Sequence, residues 1–61
     1  MIDVTRMNGT MVSINDDLIE TVEETPDTVI ALTTGKKVMV KESRQQVKEL
    51  VKNARREIYI K

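Results

Sequence analysis

Cysteine and histidine are both absent from this 61-residue chain, and each absence removes a class of site. Without cysteine there is neither a disulfide nor a zinc–thiolate site, which is typical of a protein from a reducing compartment. Without either residue, the usual nucleophile–base dyads and triads cannot be built. The adjacent carboxylates Asp16–Asp17 and Glu23–Glu24 fall in a turn and at a strand end, where solvation explains them. The sequence therefore predicts a protein that is not an enzyme and indicates no cofactor and no metal.

Glycine, aromatic residues and long apolar runs are also scarce. Gly9 and Gly35 stand in separate turns and cannot form a phosphate-binding loop. Tyr59 is the single aromatic residue, which disfavours base stacking on single-stranded nucleic acid. Because no apolar run approaches the roughly 20 residues of a membrane span and no signal peptide is indicated, we expect a cytoplasmic protein with no direct membrane insertion.

The length predicts one domain, residues 1–61, with a small core. A domain of about 60 residues buries only about 60% of the surface that its unfolded chain exposes. Domains of this size usually gain stability from disulfides, a metal or association, so we expect a homo-oligomer. Met7, Met11 and Met39 are predicted on strand positions that face away from the Val and Ile residues, and an exposed apolar patch marks an association site. These three methionines are the candidate self-association residues.

Strand patterns occupy residues 1–41 and predict an antiparallel β-meander of about five strands. Apolar residues alternate with polar ones on both sides of Asn8–Gly9, which predicts a hairpin with a type I′ turn. The third to fifth strands are predicted at about 19–25, 28–33 and 37–41. Asn15 is expected to bond its own backbone in a turn, and Pro26–Asp27 suits the centre of a type I turn. Thr34–Gly35 forms the remaining turn.

Helical periodicity replaces the strand pattern from residue 43. Ser43 and Gln46 have the spacing of a capping box, in which each side chain bonds the backbone of the other. A helix over residues 43–58 is predicted, with an apolar stripe that packs on one face of the sheet: Val47, Leu50, Val51, Ala54 and Ile58. The fold class is therefore α+β, while residues 57–61 fit either the end of the helix or a short strand.

A row of basic residues follows one side of this apolar stripe. Such a row binds phosphates, an anionic lipid surface or acidic segments of a protein, or it forms a solvated helix face. Membrane binding is the weakest of these interpretations, because the stripe lacks bulky aromatic residues. The candidate partner-binding residues are Arg44, Lys48, Lys52, Arg55 and Arg56.

Charge is divided unevenly along the chain, although the net charge is zero. Residues 1–35 contain seven acidic residues and one basic residue, whereas residues 36–61 contain nine basic and three acidic residues. The halves thus carry formal charges of −6 and +6. Either the two halves attract each other, within the fold or across a subunit boundary, or the basic half is a surface for an outside partner.

Four segments, taken in their order and spacing, resemble a known family: residues 4–9, 15–23, 26–32 and 35–43. The chain resembles the FlbD/SwrD family of bacterial flagellar and swarming motility proteins over about residues 2–50. The resemblance implies a non-enzymatic accessory protein that supports swarming and motor power through protein–protein contacts, with the stator or basal-body proteins as expected partners at the cytoplasmic face of the flagellar motor. Residues of the shared pattern with an expected structural role are Asn8, Gly9, Pro26, Asp27, Gly35 and Ser43.

An alternative comes from residues 1–6 and 9–14, which look like the start of the carbon storage regulator family of RNA-binding dimers. In that family a run similar to Arg-Glu-Glu-Ile, with its basic residue, leads into the helix, whereas Lys41–Glu42–Ser43 replaces it here. The third strand is acidic in this chain and would repel phosphate, so nucleic acid is not the expected partner. A third interpretation is a purely structural subunit of a larger assembly.

Overall fold

The computed structural model describes the backbone of residues 1–59 and the side chains of residues 1–56. Within the described backbone there are five strands and one long helix, and a 3-10 helix interrupts the strands at Asp16–Leu18. The elements are β1 (Ile2–Thr5), β2 (Met11–Ile14), β3 (Ile19–Glu24), β4 (Thr28–Leu32), β5 (Lys37–Val40) and α1 (Arg44–Tyr59). The predicted α+β class, with antiparallel strands and a C-terminal helix, is confirmed. The backbone is helical through Tyr59, whereas the side chain of Ile58 and residues 60–61 lie outside the described residues.

The strands form two antiparallel sheets, β1–β2 and β3–β4–β5, instead of one continuous meander. β2 and β3 lie in different sheets, and the 3-10 helix separates them in the sequence. The Asn15 side-chain oxygen accepts a hydrogen bond from the Asp17 backbone N–H at 3.0 Å, as predicted, and caps that helix. Beyond it, the Leu18 carbonyl oxygen accepts from the Thr33 N–H at 2.8 Å. The chain has therefore turned from β2 toward β4 before β3 begins.

The two sheets are joined where β1 and β5 end. Arg6 and Val40 form an isolated antiparallel bridge, and the Lys41 N–H donates to the Thr5 carbonyl oxygen at 2.8 Å. The Glu42 carboxylate, just beyond β5, accepts from the Thr5 N–H and from its hydroxyl. These contacts place the first and last strands side by side.

The first hairpin turns through a three-residue loop, Met7 to Gly9. The Gly9 N–H donates to the Arg6 carbonyl oxygen at 2.9 Å, and the Arg6 N–H donates to the Thr10 carbonyl oxygen at 2.8 Å. Gly9 has φ +92°, whereas the φ of Asn8 is not positive. The predicted type I′ turn is therefore wrong, because it requires positive φ at both central residues. The Asn8 side chain instead accepts from the Thr10 N–H at 3.0 Å.

The β4–β5 hairpin repeats this arrangement. The Gly35 N–H donates to the Leu32 carbonyl oxygen at 3.0 Å, the Leu32 N–H donates to the Lys36 carbonyl oxygen at 2.8 Å, and Gly35 has φ +94°. A glycine is suited to this position because an L side chain is strained at positive φ. Both hairpins thus use a three-residue loop that ends in a left-handed glycine.

The β3–β4 connection contains Pro26 and Asp27, as predicted. A type I turn centred on these residues would join the Thr25 carbonyl oxygen to the N–H three residues later. The Thr25 N–H instead donates to the Asp27 carbonyl oxygen at 3.2 Å, and the Thr25–Pro26 peptide bond is cis. The turn is therefore at the predicted position, and its backbone hydrogen bond joins Thr25 to Asp27.

The core lies between the strands and the inner face of α1. Val47 is fully buried, and it fixes which face of α1 points inward. The helix packs against β1 and β3, so the neighbouring apolar residues of its stripe become partly buried. Among the described side chains, the buried apolar residues are Ile2, Val4, Ile14, Ile30, Val40 and Val47.

Candidate functional site

The N-terminus of α1 is held by three side chains. The Ser43 hydroxyl accepts from the Gln46 N–H at 3.1 Å, and the Gln46 side-chain oxygen accepts from the Ser43 N–H at 2.8 Å, which is the predicted capping box. A carboxylate oxygen of Glu24, at the end of β3, accepts from the Arg44 N–H at 2.8 Å. Since an anion is favourable at a helix N-terminus, Glu24 ties the start of α1 to the end of β3.

The five candidate partner-binding residues are all exposed on α1. Four of them line one side of a groove between α1 and β3: Lys48, Lys52, Arg55 and Arg56. Arg44 lines a neighbouring cleft, which it shares with Lys48. The basic row predicted from the helical spacing is therefore a row in space, and most of it borders a single depression.

The floor of this groove is apolar. Val47 and Val51 line it from α1, and Ile19 and Val22 line it from β3. The groove has a volume of about 640 Å³. Val47 is buried, whereas the other three side chains are half-buried and present apolar surface at the base of the depression. An apolar floor edged by cations is an arrangement that binds a partner with both apolar and anionic groups.

A bulge in β3 brings Ile19 and Val22 to the same depression. Ile19 pairs with Leu32 and Thr21 pairs with Ala31, so Glu20 has no partner in the β4 register. Side chains of a regular strand alternate between faces, and two residues three positions apart would point to opposite sides. Because the bulge adds one residue, Ile19 and Val22 both become available to the groove.

A second, more polar cleft continues from the groove at the end of β3. Arg44, Gln45 and Lys48 line it from α1, and Glu23 and Glu24 line it from β3, next to Thr25 and Pro26. Its volume is about 620 Å³. Because acidic and basic side chains face each other here, their charges compensate locally. Among the side chains of residues 1–56, no such carboxylate lines the apolar groove, which makes it the stronger candidate for an anionic partner.

Ion pairs within residues 1–56 converge on Asp16. Its buried carboxylate contacts the N-terminal ammonium of Met1 at 2.5 Å and the Arg55 guanidinium at 3.6 Å. The hydrogen bond from the ammonium is the main reason that the pKa of Asp16 is lowered, although burial opposes it. Arg55 is thus partly engaged within the fold, whereas Lys48, Lys52 and Arg56 have no ion-pair partner in that part of the chain.

The three candidate self-association methionines do not form one surface. Met7 and Met39 line a common cleft of about 500 Å³ with Arg6, Lys36 and Lys37. Met11 lies on the β1–β2 hairpin, where its sulfur is 3.2 Å from the Thr5 hydroxyl oxygen. Met11 and Met39 occupy exposed strand positions, as predicted. The prediction of a strand position is wrong for Met7, because it lies in the hairpin loop.

Metal-ligating side chains are dispersed over the described part of the chain. Within it, no three of them are grouped so that they could hold an ion. Nor does any described helix have the length and apolar character that crossing a bilayer requires.

Two groove residues, Ile19 and Val22, could not be assigned to this site from the sequence. Their spacing of three matches neither a regular strand nor the helix, so periodicity gave no reason to join them to Val47 and Val51. The one feature that could have located them is the glutamate-rich strand pattern that runs without interruption between Asn15–Asp17 and Pro26. A bulge placed in it would have aligned the two side chains.

Comparison with known proteins identifies one family. The family model FlbD, described as flagellar and swarming motility proteins, matches residues 1–59 of the chain. No curated protein and no solved structure matches the chain.

Proposed function

We propose that this chain, which belongs to the FlbD family of flagellar and swarming motility proteins, is a non-enzymatic accessory protein that supports motor output by binding another protein of the flagellum. The proposed partner is a stator or basal-body protein, and the proposed place is the cytoplasmic face of the motor. The groove between α1 and β3 is the proposed binding surface.

The observation that carries this proposal is the combination of an apolar floor with a cationic edge. Ile19, Val22 and Val51 are half-buried in the chain alone, so a partner that covers them removes further apolar surface from water. That burial stabilises a complex by roughly 25 cal/mol per Å² before the cost of association. Lys48 and Lys52 lie beside them and can attract and orient the anionic groups of a partner.

A motility assay with a charge-reversed groove tests the proposal. A strain that lacks the gene is complemented with the wild-type chain or with Lys48→Glu/Lys52→Glu. The matched control is Lys41→Glu, which is compared with Lys52→Glu alone and changes the net charge equally. Lys41 is exposed and lines neither the groove nor the cleft of Met7 and Met39. Swimming speed, swarming, flagellar number and the amount of protein are measured in the same cultures.

We expect the groove variant to leave flagellar number unchanged and to weaken motion as much as loss of the gene does, while the control variant restores motion. Extra stator protein should restore motion to cells that lack the gene. Normal motility with the groove variant would refute the groove as the binding surface. A changed flagellar number or flagellin level would instead favour control of expression over motor output.

A further inference from the structure

We infer that the occupant of the α1–β3 groove is an acidic amphipathic helix that lies along α1. This inference rests on the proposed function and adds the chemistry and the conformation of the partner. Its apolar side chains would contact Val22 and Val51 on the floor, and its carboxylates would face the basic row of α1.

Charge complementarity indicates that the partner is negatively charged. Lys48, Lys52 and Arg56 are exposed along one edge of an apolar depression, and none has an ion-pair partner within residues 1–56. Successive residues of α1 rise by about 1.5 Å, so residues four apart are about 6 Å apart along the axis. Glutamates or aspartates one turn apart on a neighbouring helix have the same spacing and can each approach one cation.

The acidic character of β3 selects a helix over an extended strand. β3 lies at the edge of its sheet and exposes Glu20, Glu23 and Glu24. An acidic strand added to this edge would place carboxylates opposite carboxylates, which is destabilising. A helix that rests on the floor and leans toward α1 keeps its carboxylates on the cationic side, so it gains the attraction without that repulsion.

Two other occupants fit the surface less well. A second copy of α1 would bring its own basic row against this one, and like charges that meet across an interface are unfavourable. A bilayer surface is flat, whereas Ile19, Val22 and Val51 are half-buried and line a groove between two elements. A protruding row of apolar side chains, such as a helix carries, can reach that floor.

Labelled synthetic peptides provide the probe. The acidic peptide is about 15 residues long, near the lower limit at which a helix forms in water, with leucine every three or four residues and glutamate on both sides of that stripe. Its matched control has lysine in place of glutamate, because the two residues have similar helix propensity. A second control has a central proline, which interrupts the helix. Fluorescence anisotropy measures the binding of each to the full chain.

We expect the acidic peptide to bind at least ten-fold more tightly than the lysine peptide and than the proline peptide. Lys48→Glu/Lys52→Glu should reverse the charge preference, whereas Lys41→Glu should keep it. Val22→Thr adds a hydroxyl to the floor at nearly constant volume. This variant should bind the acidic peptide more weakly than the wild type does, but it should still bind the acidic peptide more tightly than the lysine peptide.

Three results would overturn the inference. These are equal binding of the acidic and lysine peptides, a preference that survives reversal of Lys48 and Lys52, and equal binding of the proline peptide. Vesicles of anionic phospholipid that bind through the same lysines, with no binding of the acidic peptide, would show a membrane surface as the occupant.

The peptide and motility experiments separate this inference from the proposed function. If the reversed variant loses motility but no peptide preference exists, the acidic helix is refuted and the proposed function stands. If a clear peptide preference accompanies normal motility of the reversed variant, the acidic helix is supported as a ligand of the groove, and the role of the groove in motor output is refuted.

Discussion

The two carboxylate oxygens of Glu42 both accept hydrogen bonds from the backbone N–H of Thr5, at 2.9 and 3.0 Å, and one also accepts from the Thr5 hydroxyl at 2.8 Å. Thirty-seven residues separate the partners. The contact joins the end of β1 to the segment between β5 and α1, and so it links the two sheets beside the start of α1. Burial alone would raise the pKa of Glu42, but the hydrogen bonds from Thr5 outweigh it and the pKa is lowered.

Replacement of Glu42 by glutamine is expected to destabilise the fold at neutral pH. Hydrogen bonds to a charged acceptor contribute more than neutral ones, so the loss is about 1–2 kcal/mol in the free energy of unfolding. Because the pKa is lower in the folded chain, the contribution of the carboxylate is complete above the ordinary value of 4.5. It disappears as the pH falls through the lowered value. Urea unfolding of both proteins from pH 7 to pH 3 measures this difference.

Glu49→Gln is the control for the Glu42 substitution, since Glu49 is exposed on α1 and accepts only a 3.3 Å bond from Gln45 within the described side chains. Its stability should match that of the wild type within about 0.5 kcal/mol. A difference between wild type and Glu42→Gln that stays constant down to pH 3 would contradict the role of the ionised carboxylate.

The capping residues of α1 are expected to set the stability of the groove wall. Ser43→Ala removes the acceptor for the Gln46 N–H, and loss of such a cap costs about 1 kcal/mol. Ser43→Asp should recover most of this, since aspartate is an equally good cap and its charge suits the helix N-terminus. Thermal unfolding followed by circular dichroism measures the three proteins. Equal melting temperatures for Ser43→Ala and wild type would show that Glu24 holds the N-terminus without the capping box.

Features that depend on neighbours in the chain were predictable from the sequence. The capping box of Ser43 and Gln46 and the turn at Asn15 each join residues two or three positions apart, so residue type and spacing are sufficient to predict them. The two glycine turns were placed correctly for the same reason. The type of the first turn could not be predicted, because the choice between a two-residue and a three-residue loop depends on how the flanking strands pair.

Features that depend on distant pairing were not predictable in this way. The contact of Glu42 with Thr5 joins the two ends of the strand region, and no local pattern indicates it. The bulge at Glu20 depends on the register with β4, which the composition of β3 leaves open. Since the bulge brings Ile19 and Val22 to the groove, the basic row could be predicted from α1 alone, whereas the apolar floor beside it could not.

We predict that the chain self-associates through the cleft that Met7 and Met39 line. The two side chains are 46% and 48% exposed, so covering both in a dimer contributes about 1 kcal/mol each. Arg6, Lys36 and Lys37 line the same cleft, and a second copy can approach it with its acidic N-terminal half. Association should therefore weaken as salt is added.

Met7→Ser/Met39→Ser is expected to weaken the association constant at least ten-fold, as sedimentation equilibrium would measure. Met11→Ser is the matched control, because Met11 is 65% exposed and lies outside that cleft, so its loss should leave the association constant unchanged. If Met11→Ser weakens association as strongly, the copies meet through the β1–β2 hairpin. A wild-type chain that remains monomeric at micromolar concentration would contradict self-association altogether, and the small core would then stabilise the fold alone.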